Sequence, residues 1–525
     1  MLPGRRDKDG RAFITTAAPG TGTTFQGGIA ISPLGQLHVV DAAPEFFTNG
    51  FGVLGTGQLC VAPGGSSASY LEGIPRSDDG RVVTHVDGVI YDTDTFLGGL
   101  RIGSIMGLVP AMSLNFLNDG PLDPRITFTR ASAATRVNSA GLIESKTTNQ
   151  PRFDYDPVTL APRGLLIEEQ RTNSIRNGEA TGASAGTPGT LPTNWAEGNL
   201  AAGLTRQIVA VGSSNGLTYL DIRISGTTGN TNGWLLQFEP TGQIAAANGQ
   251  TWTISFYCYL IAGSIANVNN IAARIVEGNP GYLGDSFTVF TPTDTTNLLA
   301  ARRSCTRTNN NVATTVVRPS IWVDILNTKT IDFTLRIAAP QMEGTACSFP
   351  TSYIPTTSAA VTRAADVASM TGANFSSWFN ATEGTFVASG ISLNDAQTSK
   401  FARLWQVDDG TENNAMSVQR SSTQQRLFVK VGGADQFTDS GVPTWSNNST
   451  GKTAFAYKAN DLSVSFNGAA LRVDAVAAIP TIDRLRMGDV VSPNITGNFN
   501  SCIQSLTYYN KRLPDEALID LSELT

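Results

Sequence analysis

Short, turn-bounded apolar runs mark this chain as all-β, with N-terminal glycine-punctuated β-hairpin repeats followed by two β-sandwiches. Charged residues are only 15% of the 525, and strong helix formers rarely occur in runs. Brief Val/Ile/Thr/Phe stretches alternate with Gly, Asn and Pro, which is the pattern of many short strands joined by turns. Thr251–Tyr259 (TWTISFYCY) sets Thr and Ser between large apolar residues, as a strand with one buried face requires. A chain of 525 residues exceeds what one core serves, so two to four domains are expected. Its 41% hydrophobic residues can fill those cores, which excludes a disordered chain.

Residues 1–112 contain an internal repeat. Phe25-Gln-Gly-Gly28-Ile29 is followed by Gly35-Gln36-Leu37, and Phe47-Thr-Asn-Gly50-Phe51 by Gly57-Gln58-Leu59 at the same offset. Tyr70-Leu-Glu-Gly73-Ile74 is followed likewise by Gly80-Arg81-Val82, while Phe96-Leu-Gly-Gly99-Leu100 lacks the second glycine. Glycine at both points predicts tight hairpin turns. One unit is too small to bury its aromatic, so units should stack on each other or on a partner chain.

Residues 113–176 read as an extended, loop-rich collar, punctuated by Asp156-Pro157 and Ala161-Pro162. Asn177–Pro192 is a polar connector. Within 177–365, strands are expected at 207–211, 218–224, 233–239, 251–260, 271–276, 311–317 and 330–338, which suggests a jelly roll. Within 366–525, strands are expected at 384–391, 401–408, 415–420, 426–431, 453–458, 461–466, 484–488 and 502–509. Pro514-Asp515-Glu516 should open a short last helix.

Two dense blocks, Phe128–Glu144 and Asn149–Asn173, resemble a segment of tailed-bacteriophage virion proteins that precedes a β-sandwich module. Residues 339–367 (APQMEG…TSYIPTTSAAVTRAADV) resemble the closing strand and exit linker of a carbohydrate-binding-module-like sandwich in phage tail and fibre proteins. Lys452–Gly468 and Gly497–Leu513 (GNFNSCIQSLTYYNKRL) resemble concanavalin-A-like sandwiches, also called laminin-G-like. The resemblance implies a virion fibre or spike, assembled in the host cytoplasm. Residues 1–112 would dock on other virion proteins of capsid or tail, and the sandwiches would meet host surface polysaccharide. It also implies a homotrimer, which protects sheet edges and multiplies weak sugar contacts. The same parts fit a capsid decoration or head-fibre protein serving shell stability. A third reading is a polysaccharide depolymerase.

Formal net charge is −6 and the only basic cluster is Arg5-Arg6-Asp7-Lys8, so no nucleic-acid partner is expected. No apolar run approaches the roughly 20 residues that span a bilayer. MLPGRRDKDG has no apolar signal-peptide core, so neither secretion nor membrane insertion is expected. Cys60, Cys258, Cys305, Cys347 and Cys502 form no CxxC pair, which argues against zinc or redox chemistry and for free thiols in a reducing compartment. Cys258 reads as a buried apolar residue.

No catalytic residue and no enzymatic function are expected. His38 and His85 fall in the repeats without triad partners. The acidic pair Asp408-Asp409 would point to opposite faces of a strand. Sugars stack on exposed aromatics while polar groups bond their hydroxyls. Trp252, Trp322 and Trp405 lie in strand-like runs and are assigned to the core. Trp445, in the polar loop 441–449, and Trp234, after an Asn/Thr/Gly loop, are the candidate glycan contacts. No cofactor is expected, apart from calcium as an option at Asn118-Asp119-Gly120 and Asp408–Asn414, patterns that also read as plain turns.

Overall fold

The computed structural model describes residues 109–229, 233–240, 244–279, 281–344, 348–393, 401–489 and 497–524, together with six short strands before them. The chain divides into two compact units, Met1–Val109 and Pro110–Thr525.

In the first unit the described strands form three antiparallel pairs. Ala30–Ile31 pairs with Leu37–His38, Gly50–Val53 with Leu59–Ala62, and Thr84–Val86 with Val89–Tyr91. The first two pairs fall at equivalent points of the repeat, closing on Leu37 and Leu59. The third is displaced, since its strands Thr84–Val86 and Val89–Tyr91 both come after Gly80. His38 and His85 stand in these strands, but their side chains, that of Cys60 and the repeat starts at Tyr70 and Phe96 lie outside the described residues.

In the second unit, residues from Ala196 to Glu343 form a sandwich of two antiparallel sheets. One sheet runs, in spatial order, Leu204–Ser214, Leu217–Thr227, Thr330–Glu343, Thr251–Ser264 and Arg302–Thr308. The other runs Ala196–Leu200, Trp234–Gln237, Val316–Ile325, Val268–Asn279 and Gly281–Val289, with Ile244–Ala245 beside Val316–Ile325. Ile222, Phe256 and Leu335 of the first sheet meet Trp234, Ile275 and Ile321 of the second in one buried core. Alternation along each strand explains the burial, since every second residue faces the opposite sheet.

A second sandwich follows. Its eight-stranded sheet runs Phe153–Tyr155, Pro162–Ile167, Ser501–Tyr509, Glu383–Ser392, Ser449–Lys458, Asp461–Phe466 and Arg472–Asp474, with Met112–Asn115 also on Ser501–Tyr509. Its seven-stranded sheet runs Ala434–Thr444, Gln424–Val431, Ala415–Ser421, Ala402–Asp408, Arg484–Met487, Val367–Thr371 and Thr127–Thr129. Helix Asp515–Ser522 begins where Pro514 predicts and buries Leu518.

The expected collar is corrected by this topology. Met112–Asn115, Thr127–Thr129, Phe153–Tyr155 and Pro162–Ile167 are strands of the second sandwich, and Ala134–Val137 forms a hairpin with Ile143–Lys146. The jelly roll is therefore an insertion between two halves of the other sandwich. Arg171–Asn173, where the chain leaves, pairs with Val361–Arg363, where it returns. Strands of three to six residues in a Pro- and polar-rich stretch leave too short a period to register in sequence.

The two segments singled out by resemblance meet at this junction in a buried ionic lock. Asp366 accepts from Arg130 at 2.9 Å and from Arg152, while Glu168 accepts from Arg152 at 2.8 Å and lies 2.9 Å from Arg363. Ser352 donates to Glu168 through its hydroxyl at 2.6 Å and its amide at 2.7 Å. Glu343 is joined through Thr351, which also accepts from Arg363 at 3.0 Å. Three guanidiniums thus balance three carboxylates away from water, which makes such groups tolerable inside a fold.

Candidate functional site

Both tryptophans expected to touch sugar are inside the protein. Trp234 is fully buried, because its place in strand Trp234–Gln237, opposite Val323, faces the jelly-roll core, and its Nε1 donates to Glu197 at 2.9 Å. Trp445 is only 1% exposed. Its Nε1 donates to the Ser449 carbonyl at 2.9 Å, and its ring lies 5.5 Å from Phe499. It fills the space over Gly451, where an added Cβ would come within 2.5 Å of the indole, so the polar loop is pinned to the sandwich.

Trp252 and Trp405 are buried as expected, but Trp322 is not a core residue. In Val316–Ile325 the core-facing positions are Val317, Ile321, Val323 and Ile325, which leaves Trp322 on the outer face.

That outer face carries the site. Directly opposite residues on neighbouring strands share a face. Ala272 stands between Trp322 and Val289 in one row; Arg274 stands between Ser320 and Phe287 in the next. The Arg274 guanidinium lies over the Trp322 ring at 5.5 Å, and its Nε is 2.6 Å from Asp285. The Tyr282 hydroxyl donates to the other Asp285 oxygen at 3.0 Å, and that bond raises the Tyr282 pKa above its ordinary value. Tyr282 is 63% exposed and Phe287 57%. Ala272 itself is fully buried beneath its neighbours, so the exposed part of this face is made by the side chains around it.

Chemically, this is an apolar ring surface beside a fixed guanidinium–carboxylate pair. Rings can stack on the C–H face of a sugar while Arg274 and Asp285 bond its hydroxyls. Sequence reasoning missed strand Gly281–Val289, GYLGDSFTV, because it is an edge strand without a continuous buried face. Its signal was two aromatics among Gly, Asp and Ser.

The carboxylates considered for calcium are engaged within the chain. Asp119 pairs with Arg136 at 2.7 Å. Asp408 accepts from Arg486 at 3.0 Å and from the Gly410 amide at 2.7 Å; Asp409 accepts from Thr411 and Asn414. Among the described residues no three His, Cys, Asp or Glu converge on a point. Cys258, Cys305 and Cys502 are buried free thiols, and burial pushes Cys258 up to about 12. Cys347 lies outside the described residues.

No family model matches the chain, and no curated protein matches it. Among solved structures, a CBM40 carbohydrate-binding module of a Ruminococcus gnavus sialidase, bound to α2,3-sialyllactose, is similar at 15% identity, covering 28% of this chain and 84% of that one, with a TM-score of 0.25. Mouse laminin α1 domains LG4-5 are similar at 12% identity, covering 51% and 84%, with a TM-score of 0.20. A tandem CBM22 domain from Paenibacillus barcinonensis is similar at 10% identity, covering 64% and 97%, with a TM-score of 0.20. Likeness this slight transfers neither ligand nor activity.

Proposed function

We propose that this chain is a glycan-binding structural protein of a bacteriophage virion, a fibre or spike whose N-terminal repeats dock on capsid or tail and whose sandwiches meet host surface polysaccharide. The observation that carries the glycan part is the outer face of the jelly roll, where Trp322, Phe287 and Tyr282 flank the Arg274–Asp285 pair. The virion part is supported by the resemblance of the segments that form the ionic lock, and by the order of repeats before sandwiches. The proposed role is adhesion without catalysis, in a homotrimer.

Glycan-array binding of the Phe287→Ala/Tyr282→Ala protein tests the first part. Both side chains are largely solvated, so the fold should persist while affinity falls roughly 10-fold or more. Unchanged binding would remove this face from the reading. The second part requires the protein in washed particles and loss of host adsorption when it is deleted. Many copies over the head with adsorption intact would make it a shell-stabilising decoration instead. Release of oligosaccharides from host capsule would make it a depolymerase.

A further inference from the structure

The outer face of the jelly roll carries a second arginine, Arg318, outside the Arg274–Asp285 pair. It stands in the row Arg318–Val276–Asp285, next to the row Ser320–Arg274–Phe287. Its side chain lies across Gly278, where an added Cβ would come within 2.5 Å of Nη2, and that Nη2 donates to the Gly281 carbonyl at 3.1 Å. The guanidinium is thus held against the sheet where the strand of Tyr282 begins, in a residue that remains partly exposed. Its Nε is buried, so the Nη groups are what an incoming ligand meets. Among the described residues Arg318 has no carboxylate partner. Asp285 lies two strands away, about 10 Å along the row, and is held by Arg274 and Tyr282. Asp324, at the far end of the Arg318 strand, accepts from Asn269 at 2.7 Å.

A surface arginine ordinarily reaches into water, where its charge is solvated. Arg318 is instead tied down beside another cation, and burial together with the like charge of Arg274 pulls its pKa below the ordinary value. An anion placed beside it offsets both effects. Around Phe287 and Tyr282 there are thus two guanidiniums and one carboxylate, and that carboxylate is already neutralised by Arg274. We infer that the glycan taken by this face is acidic, with the carboxylate of one sugar unit accepting from Arg318 while a neighbouring ring lies on Phe287 and Tyr282. The inference rests on the reading of this face as the glycan site, and it adds Arg318 as the residue that selects for charge. Hydrogen bonds between guanidinium and carboxylate are roughly twice as strong as neutral ones, so the selection should be large enough to measure.

Oligosaccharides of glucuronate, galacturonate and mannuronate, each beside its methyl ester, provide the test with the full chain. The ester keeps the shape of the ligand and removes its charge. At least one acid should bind about 10-fold or more tightly than its ester, and added salt should narrow the gap. Arg318→Gln removes the charge at a partly exposed position, so the fold should persist; it should weaken the acid alone and make the two forms equal. Arg318→Lys keeps the charge and should keep a preference for the acid. Equal binding of acid and ester by the parent protein, a preference that survives Arg318→Gln, or binding of neutral glycans only would overturn the inference and leave the face as a glycan site. Acid binding untouched by Phe287→Ala/Tyr282→Ala would instead remove the face itself, and the inference with it.

Discussion

Asp154 and Glu168 are both buried carboxyls at the junction, yet their surroundings drive them in opposite directions. Burial pushes Asp154 up to about 6 from 3.8, against the pull of Arg163 and the Val137 amide; neighbouring Glu168 adds to the rise. Burial would also raise Glu168, but Arg363, Arg152 and the Ser352 hydrogen bonds outweigh it and hold it at about 2. Between those values for Asp154 the native state keeps a proton that the unfolded chain releases, so stability falls as pH rises through that window. The shift corresponds to on the order of 3 kcal/mol. Glu168 has the other sign: its contribution is present above 4.5, its ordinary value, and is lost as pH falls through about 2. Asp154→Asn is therefore expected to stabilise the protein at neutral pH and flatten the decline above about pH 4, as read from urea unfolding at several pH values. A parallel shift at every pH would show that Asp154 is not the titrating group. Sequence could name these residues as acidic but not assign their states, because burial, which sequence does not show, governs Asp154, while Ser352 and Arg363 reach Glu168 from nearly two hundred positions away.

Strands with one strongly apolar face were legible, and those without one were not. Ala402–Asp408, Ala415–Ser421, Asp461–Phe466 and Ser501–Tyr509 fall within a residue or so of expectation, because core packing and local alternation agree there. Arg302–Thr308 (RRSCTRT) and Ala434–Thr444 (ADQFTDSGVPT) were not foreseen, since backbone pairing rather than side-chain pattern makes them strands. The glycan contacts differ from expectation for a related reason: a polar flank does not expose Trp234 or Trp445, and a strand-like run does not bury Trp322, because strand parity decides for Trp234 and Trp322. Gly164 shows how narrowly one short strand is specified. It has φ +109 within Pro162–Ile167, and an added Cβ would meet the Ile503 carbonyl at 2.2 Å. Gly164→Ala should therefore part this strand from Ser501–Tyr509 and destabilise the protein by about 2 kcal/mol or more in chemical denaturation. A loss within about 0.5 kcal/mol would show that the strand simply shifts.

For the molecule as a whole, the decisive feature is that the jelly roll interrupts the other sandwich, with its entry and exit strands paired at Arg171–Asn173 and Val361–Arg363. Two consequences can be measured. Residues 174–349 should fold alone with a cooperative transition, since their core draws on residues between Ile175 and Met342. A chain ending near residue 370 should keep that module protease-resistant while 110–170 is cleaved, because the strands closing the eight-stranded sheet would be missing. Equal resistance of both parts would refute this dependence. The insertion also sets a clock on synthesis. Met112–Asn115 must wait for Ser501–Tyr509, about 390 residues later, which at 5–20 residues per second is roughly 20–80 s. Throughout that time the earliest strands of the outer sandwich remain nascent beside a finished jelly roll, and each must avoid sticking to its counterpart on a neighbouring ribosome. Their brevity, at three to six residues each, weakens them as a local code and keeps them soluble until the last hundred residues arrive.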